Sequence, residues 1–291
     1  MILIADSGST KADWILVDNT GKPVRDFKTP GFNPFFHDVN FVEFHLRDCD
    51  ELNGYSPEVE YVFFYGAGCS SDELNAIIIK GLKSVFINAK IHVDHDLVGA
   101  AYACYNGNPN IACIIGTGSN SCFFDGENVT EEVPSLAYIL GDEASGSYFG
   151  KHLISQFLYK KLPAELAADF NRTYKLSKAQ IFENVYNKPH ANVYLASFMK
   201  FYSNHKEHAF IQETVYNGMY KFLETHVCCF DNHKNIPVNF VGSVAYHFEG
   251  ILKKAANDLG ISIRSIIKKP INGLVNYHFK YKKVLEKWKI S

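Results

Sequence analysis

The chain has 291 residues, which at about 150 residues per domain points to roughly two domains. Its composition, 47% hydrophobic, 14% aromatic and 21% charged, excludes the sparse hydrophobicity and high charge of disordered chains. With 29 Lys and Arg against 31 Asp and Glu, the net charge of -2 gives no global attraction to nucleic acid or anionic lipid. The charge is uneven: residues 251–291 hold ten Lys/Arg and two acids, read as a solvated C-terminal face rather than a polyanion-binding tail. Met-Ile-Leu-Ile-Ala meets Asp6 without a basic n-region, so no secretory signal is expected and the chain reads as cytoplasmic. The uncharged stretch from Leu97 to Phe124 is long enough for a membrane span, but Asn106-Gly107-Asn108-Pro109-Asn110 breaks it with a turn. Seven cysteines without CxxC spacing, mostly in apolar runs, read as reduced buried thiols, the vicinal Cys228-Cys229 included.

Along the chain, residues 1–28 read as a β-meander: Ile2–Asp6, Ala12–Asp18, a turn at Asn19-Thr20-Gly21, and Pro23–Phe27. Gly31-Phe32-Asn33-Pro34 is a turn cluster, followed by an amphipathic segment from about Asp38 to Leu52. Val59–Tyr65 has the composition of a strand buried on both faces and ends in Gly66-Ala67-Gly68. Ser71–Asn88 has helical spacing and Lys90–Val93 is a short strand, giving βαβ order. The next feature is a repeat. Ile4-Ala5-Asp6-Ser7-Gly8-Ser9-Thr10, an apolar strand and Asp18-Asn19-Thr20-Gly21 are echoed by Ile114-Ile115-Gly116-Thr117-Gly118-Ser119-Asn120, then Cys122-Phe123-Phe124, then Asp125-Gly126. Each copy is strand, Gly-Ser turn, strand and tight turn, as an internal duplication would leave.

After Val133 a turn-rich stretch ends in Gly141-Asp142-Glu143-Ala144-Ser145-Gly146, and helical spacing runs from Tyr148 to Lys161. Residues 163–230 read as helical, most clearly over His205–Val227, with Ser203 and Asn204 as candidate caps. A strand over Val238–Val241, a Gly242-Ser243 turn, a helix over Val244–Leu259, a strand over Ile261–Ile266 and a last helix near Ile271–Trp288 resume the βαβ pattern. The expected domains are 1–108 and 109–291.

Two Gly-Ser turns, each joining two strands, offer backbone N–H groups and hydroxyls to phosphate oxygens. No P-loop spelling occurs, and Gly66-Ala67-Gly68 runs into Cys69-Ser70-Ser71 rather than completing a dinucleotide motif. Asp6, at a strand end beside hydroxyls and glycine, exceeds what a hairpin turn needs. Asp94-His95-Asp96 follows a short strand, where period two puts Asp94 and Asp96 on one side. Phosphoryl transfer wants positioning, charge neutralisation and one carboxylate as base; the alternative for Asp96 is the N-cap of a helix over Leu97–Tyr105. Glu143 reads as a support for Asp142.

Asp6-Ser7-Gly8-Ser9-Thr10-Lys11 resembles the first phosphate motif (DxGxT) of the actin-like ATPase and sugar-kinase superfamily, and Gly116-Thr117-Gly118-Ser119-Asn120 the second. More closely, that second motif, Leu140 to Gly146 and the preceding Asp96-Leu97-Val98-Gly99-Ala100 resemble the N-acetylglucosamine kinase and BadF/BadG/BcrA/BcrD ATPase family over nearly the whole chain. The resemblance implies an α/β fold of two ribonuclease-H-like domains around a nucleotide cleft, with segment 163–230 a helical insertion in the second. It implies ATP and Mg²⁺ as cofactors, Asp6 as the metal residue, and Gly8, Ser9, Thr10 and Lys11 with Gly116, Thr117, Gly118 and Ser119 at the phosphates. Gly242 and Ser243 match the adenosine motif, where a glycine turn admits the nucleotide. Asp96 is implied as general base, and Asn33, Asn120 and Asp142 join it at the sugar. The chain departs from the family pattern in having Ser135-Leu136-Ala137-Tyr138 for G-G-W-G, and Ser243 where a second glycine is common.

The function these features imply is an ATP-dependent kinase of a sugar, an N-acetylated amino sugar such as N-acetylglucosamine first. The alternatives are an ATPase activating a radical dehydratase through an iron–sulfur cluster bridging two subunits, and a non-catalytic sugar or nucleotide sensor. The cluster asks for two well-placed surface cysteines, whereas Cys104, Cys113 and Cys122 read as inward; a sensor could lose Asp6 or Asp96, and both are present. The expected partners are a small-molecule sugar and at most a second copy of the chain as a homodimer, with neither nucleic acid nor membrane.

Overall fold

The computed structural model describes residues 1–52 and 54–282, whose strands form two five-stranded sheets. The opening apolar run becomes β1 (Ile2–Ser7), antiparallel to β2 (Lys11–Val17), which is antiparallel in turn to β3 (Pro23–Pro30). On its other side β1 pairs in parallel with β4 (Tyr61–Gly66), and β4 with β5 (Lys90–His95), in the order β3-β2-β1-β4-β5. Central β1 and β4 are continuous apolar runs because both of their faces are covered. On one face lie α1 (Val39–Arg47) and α2 (Asp72–Val85), capped by Asp38 and Ser71, whose side chains accept the N–H groups of Phe41 and Leu74. Their Val42, Leu46, Ile78 and Leu82 bury against Leu3, Ala5, Trp14 and Phe64. On the other face α3 (Asp96–Cys104) packs with Ile2, Ile4, Phe63 and Tyr65.

The second sheet contains β6 (Asn110–Ile115), β7 (Ser119–Phe124), β8 (Val129–Thr130), β9 (Val238–Val241) and β10 (Ile263–Ile267), in the order β10-β9-β6-β7-β8. β9 runs parallel to both β6 and β10. Read from its short meander edge, this sheet has the same succession as the first: third, second, first, fourth and fifth strand. Each Gly-Ser turn sits at the corresponding place, between the first and second strands. The helices that follow β8 are α4 (Ala137–Leu140), α5 (Gly146–Leu158), α6 (Ala164–Tyr174), α7 (Lys178–Phe182), α8 (Ala191–Ala196), α9 (Met199–Asn204) and α10 (Ala209–His226). Phe149, Phe170, Phe198, Tyr202 and Phe222 bind them into the core that includes Ile111, Cys113 and Phe240 of the sheet. α11 (Ser243–His247) and α12 (Glu249–Asp258) follow β9, and α13 (Ile271–Asn276) follows β10.

Several expectations need correction. α10 is capped by His208, whose ring accepts the Phe210 N–H, while Ser203 and Asn204 end the preceding α9. The helix expected over Val244–Leu259 is two helices meeting at Phe248, whose backbone leaves helical geometry (φ -113, ψ 27). The last helix stops at Asn276 and continues as a π-turn over Tyr277–Tyr281; its expected remainder to Trp288 lies outside the described residues.

The chain divides into two compact units, one of Met1–Pro109, Phe124–Val129 and the residues from Lys269, the other of Asn110–Phe123 and Thr130–Lys268. A single cut at 108/109 misses the return of the chain. Leu274 of α13 buries with Ile2, Ile4 and Phe63, Tyr65 Oη lies 2.9 Å from His278 Nε2, and a Cβ on Gly273 would collide with the backbone of Ala103. The seven cysteines form no disulfide; five are buried and Cys228 and Cys229 half-buried. No helix among the described residues is long and apolar enough to cross a membrane.

Candidate active site

In the first unit the β1–β2 turn brings three carboxylates together. Asp6 faces Asp13 across the antiparallel pair, and Asp96 begins α3. Burial, Asp96 and Asp13 push the Asp6 carboxyl up to about 7, against the opposing pull of Lys11 and Lys269. Lys269 Nζ donates to Asp13 Oδ1 at 2.7 Å. This hard oxygen set, with charge in excess of its two cations, fits a divalent cation such as Mg²⁺ that keeps waters and phosphate oxygens as its other ligands. Among the described residues no three His, Cys, Asp or Glu side chains form a metal site by themselves.

The turn itself is set by packing. The Gly8 N–H donates to the Lys11 carbonyl at 3.0 Å, and Gly31 lies so close that a Cβ on it would collide with the Gly8 carbonyl. Ser7 Oγ accepts the Phe32 N–H at 2.9 Å, and its carbonyl accepts the Ala67 N–H at 2.7 Å. These bonds place Asn33, which is buried and turns its Oδ1 to the Phe35 N–H at 3.0 Å. Gly68, at φ +82, gives that amide room, since a Cβ there would strike Asn33 Oδ1. Gly66-Ala67-Gly68 is thus no nucleotide motif but the wall behind Asn33. Ser9 is half-buried, and Thr10 and Lys11 are exposed.

Asp96 is the first residue of α3 and not its cap. The cap is His95, whose Nδ1 accepts the Leu97 N–H at 3.3 Å. The same Nδ1 stands 3.1 Å from Asp96 Oδ1, a contact that needs a hydrogen on that nitrogen, so the ring caps the helix when Nδ1 is bare and donates to Asp96 when Nδ1 carries the hydrogen. Asp94 and Asp96 do not share a strand face, because the helix starts at Asp96. Burial would raise the Asp94 carboxyl, but His92 and the His95 N–H, which donates to Oδ1 at 2.8 Å, outweigh it and hold the carboxyl below its ordinary value. Asp94 is engaged in the sheet; Asp96 is half-buried at a helix start, where the dipole favours its ionised form.

In the second unit the β6–β7 turn is gripped from three sides. The Gly116 N–H donates to the Gly118 carbonyl at 2.9 Å, and the Gly146 and Ser147 N–H groups at the start of α5 donate to the carbonyls of Gly116 and Thr117. A Cβ at Gly116 would meet nothing within 4 Å, so this backbone is open to a ligand. Gly242, at φ +123, abuts the same turn, and a Cβ on it would collide with the Ile115 carbonyl; Ser243 beyond it is exposed. Asp142, left-handed at φ 56 and buried, accepts the Ser119 N–H at 3.3 Å. Burial raises its carboxyl to about 6, the Ser119 N–H opposes this, and neighbouring Glu143 adds to it. Ser119 Oγ donates to the Glu143 carbonyl at 2.7 Å, so both donors of Ser119 are engaged inside the unit. Asn120 donates from Nδ2 to Glu131 Oε2 at 3.0 Å and accepts the Ser121 N–H.

The structure thus places Asp6, Gly8, Ser9, Thr10, Lys11, Asn33 and Asp96 in the first unit, and Gly116, Thr117, Gly118, Ser119, Asn120, Asp142, Gly242 and Ser243 in the second. Sequence reasoning missed Gly31 and Gly68 as supports, although both lie in turn clusters, and Lys269, which carries no local signal.

No protein-family model matches the chain, and no curated protein matches it. Solved structures do. The candidate N-acetylglucosamine kinase of Porphyromonas gingivalis is 38% identical, with a TM-score of 0.90, over 96% of this chain and 98% of its own. The candidate N-acetylglucosamine kinase of Chromobacterium violaceum is 14% identical at a TM-score of 0.70, over 95% of this chain and 98% of its own. A ROK family glucokinase of Streptomyces griseus, in complex with glucose and AMPPNP, is 15% identical at 0.55, over 97% and 99%. At their identities the last two show the fold alone.

Proposed function

Since the chain belongs to the N-acetylglucosamine kinase family, within the actin-like ATPase and sugar-kinase superfamily, we propose that it is an ATP-dependent kinase phosphorylating a hydroxyl of an N-acetylated amino sugar, N-acetylglucosamine first. The observation that carries this reading is the pairing of two half-buried carboxylates with different surroundings: Asp6, at the end of β1 with its carboxyl pushed up to about 7 by desolvation and by Asp96 and Asp13, and Asp96 at a helix start. One suits a cation and the other a proton.

In this reading Asp96 takes the proton of the acceptor hydroxyl as its oxygen bonds to the γ-phosphorus of ATP and the bond to the β,γ-bridging oxygen breaks, leaving ADP. Asp6 would hold Mg²⁺, which would neutralise phosphate charge. Backbone and hydroxyl groups of Gly8, Ser9 and Thr10, with Lys11, bind phosphate oxygens in the first unit; Gly116, Thr117 and Gly118 do so in the second, where Ser119 holds the turn. Gly242 and Ser243 admit the adenosine. Asn33 in the first unit and Asn120 and Asp142 in the second contact sugar hydroxyls; for Asn120 this requires its amide to leave Glu131.

A coupled ADP-release screen over N-acetylglucosamine, glucosamine, N-acetylmuramate and glucose tests the assignment. Highest kcat/KM is expected with N-acetylglucosamine. Equal or greater kcat/KM with glucose would overturn the amino-sugar specificity.

A further inference from the structure

Behind Asp142 lies a buried carboxylate–imidazole pair for which the reaction has no direct use. Glu143 Oε2 is 3.2 Å from His226 Nε2, near the end of α10, and Glu143 Oε1 is 3.6 Å from Lys221 Nζ. His226 is almost wholly enclosed, stacks on Phe222 with ring centres 4.9 Å apart, and leaves Nδ1 buried without a hydrogen-bond partner. A proton on that Nδ1 would be a buried donor with no acceptor, so the ring is neutral with its hydrogen on Nε2, aimed at Glu143. Burying an ion beside a neutral donor costs stability unless well-placed hydrogen bonds offset it.

What it fixes is visible. The Glu143 carbonyl accepts Ser119 Oγ at 2.7 Å, the Ser119 N–H donates to Asp142 Oδ1, and the His226 carbonyl accepts Ser121 Oγ at 2.6 Å. Helix α10, strand β7 and the 142–143 corner therefore meet through one chain of hydrogen bonds. Asp142 and Ala144 on either side of Glu143 are both in the left-handed region, a conformation that persists only when its surroundings hold it.

We propose that His226 is a positioning residue which, through Glu143 and Ser119, orients the Asp142 carboxylate for sugar contact. The inference rests on the reading of Asp142 as a sugar-binding carboxylate. The charged and titratable groups facing the corner are Glu143, His226, Lys221 and Lys151, and of these only His226 is both enclosed and bonded to Glu143.

The test compares His226→Gln, whose amide nitrogen can occupy the place of Nε2, with His226→Leu, which cannot donate. Sugar KM should rise at least about tenfold in the Leu variant, more than the KM for ATP, and should return to within about threefold of wild type in the Gln variant. Hydrogen exchange of the Ser119 amide is read in parallel, and needs no activity: it should accelerate in the Leu variant and not in the Gln variant. If His226→Leu does not fold, His226→Asn, shorter by one carbon, replaces it as the variant that cannot reach. Unchanged Ser119 exchange in the non-reaching variant, or equal loss in both variants, overturns the positioning role. A wild type that phosphorylates no sugar overturns the kinase reading instead, and the exchange experiment still decides whether the brace exists.

Discussion

Asp6 is disfavoured as an anion by burial, by Asp96 and by Asp13, and its carboxyl titrates near 7. A carboxyl raised in this way above its unfolded value of about 4 contributes stability in its protonated form, complete below about pH 4 and lost as pH rises through about 7. Ligand-free Asp6→Asn should therefore melt several degrees above wild type at pH 8 and level with it near pH 4, by scanning calorimetry; the reverse order at pH 8 would contradict the desolvated carboxylate. Its turnover should nonetheless collapse, and wild-type affinity for Mg·ATP, measured by titration calorimetry, should weaken as pH falls from 8 to 6 because the cation must displace that proton. Asp96 separates function from fold differently. His95 caps α3, so Asp96→Asn should leave the melting temperature within about a degree while phosphorylation falls at least about a hundredfold, the usual worth of general-base help. A near-normal rate would refute the assignment. The motif spelling makes Asp6 and Asp96 visible in the sequence. It could not separate base from cap, because that distinction turns on a helix boundary shifted by one residue, nor show Lys269, which meets Asp13 from the far end of the chain.

Among the elements, the glycines divide by what surrounds them. Gly242 holds a φ of +123 against the Ile115 carbonyl, whereas a Cβ on Gly250, within α12, would meet nothing. Gly242→Ala should cost about 1–3 kcal/mol in denaturant unfolding, and weaken ATP binding if this turn admits adenosine; Gly250→Ala should be neutral or stabilise by up to about 1 kcal/mol, from helix propensity and a less free unfolded chain. Equal losses would mean that the close approach at Gly242 is not what fixes the turn. Strands and long helices are readable because their signals are local: β9 over Val238–Val241 is a short run buried along its whole length, and the stretch around α10 stands where 3.6-residue spacing puts it. Their ends are less readable. Ser203 and Asn204 have the chemistry of caps yet terminate α9, and nothing apolar distinguishes Phe248 as the break between α11 and α12, since it is buried like Val244 and Leu252, one turn away on either side. Gly66-Ala67-Gly68 was readable as a turn, but its role against Asn33 depends on two loops that only the tertiary fold brings together.

Over the whole molecule, the repeated strand–turn–strand spelling foreshadows the two sheets of identical strand order, since a duplicated unit keeps its topology after most of its residues have diverged. The unit boundary was hidden, because the periodicity of α13 shows that it has a buried face and not whose core receives it; Leu274 goes to the core of β1 and β4. The central claim, that the chain is a sugar kinase, is most directly tested by ³¹P NMR of the purified chain with Mg·ATP and N-acetylglucosamine. The account predicts a sugar phosphomonoester resonance growing in step with ADP, and ATP left unchanged when the sugar is omitted. Inorganic phosphate appearing in place of the phosphomonoester, or an unaltered spectrum, would contradict it.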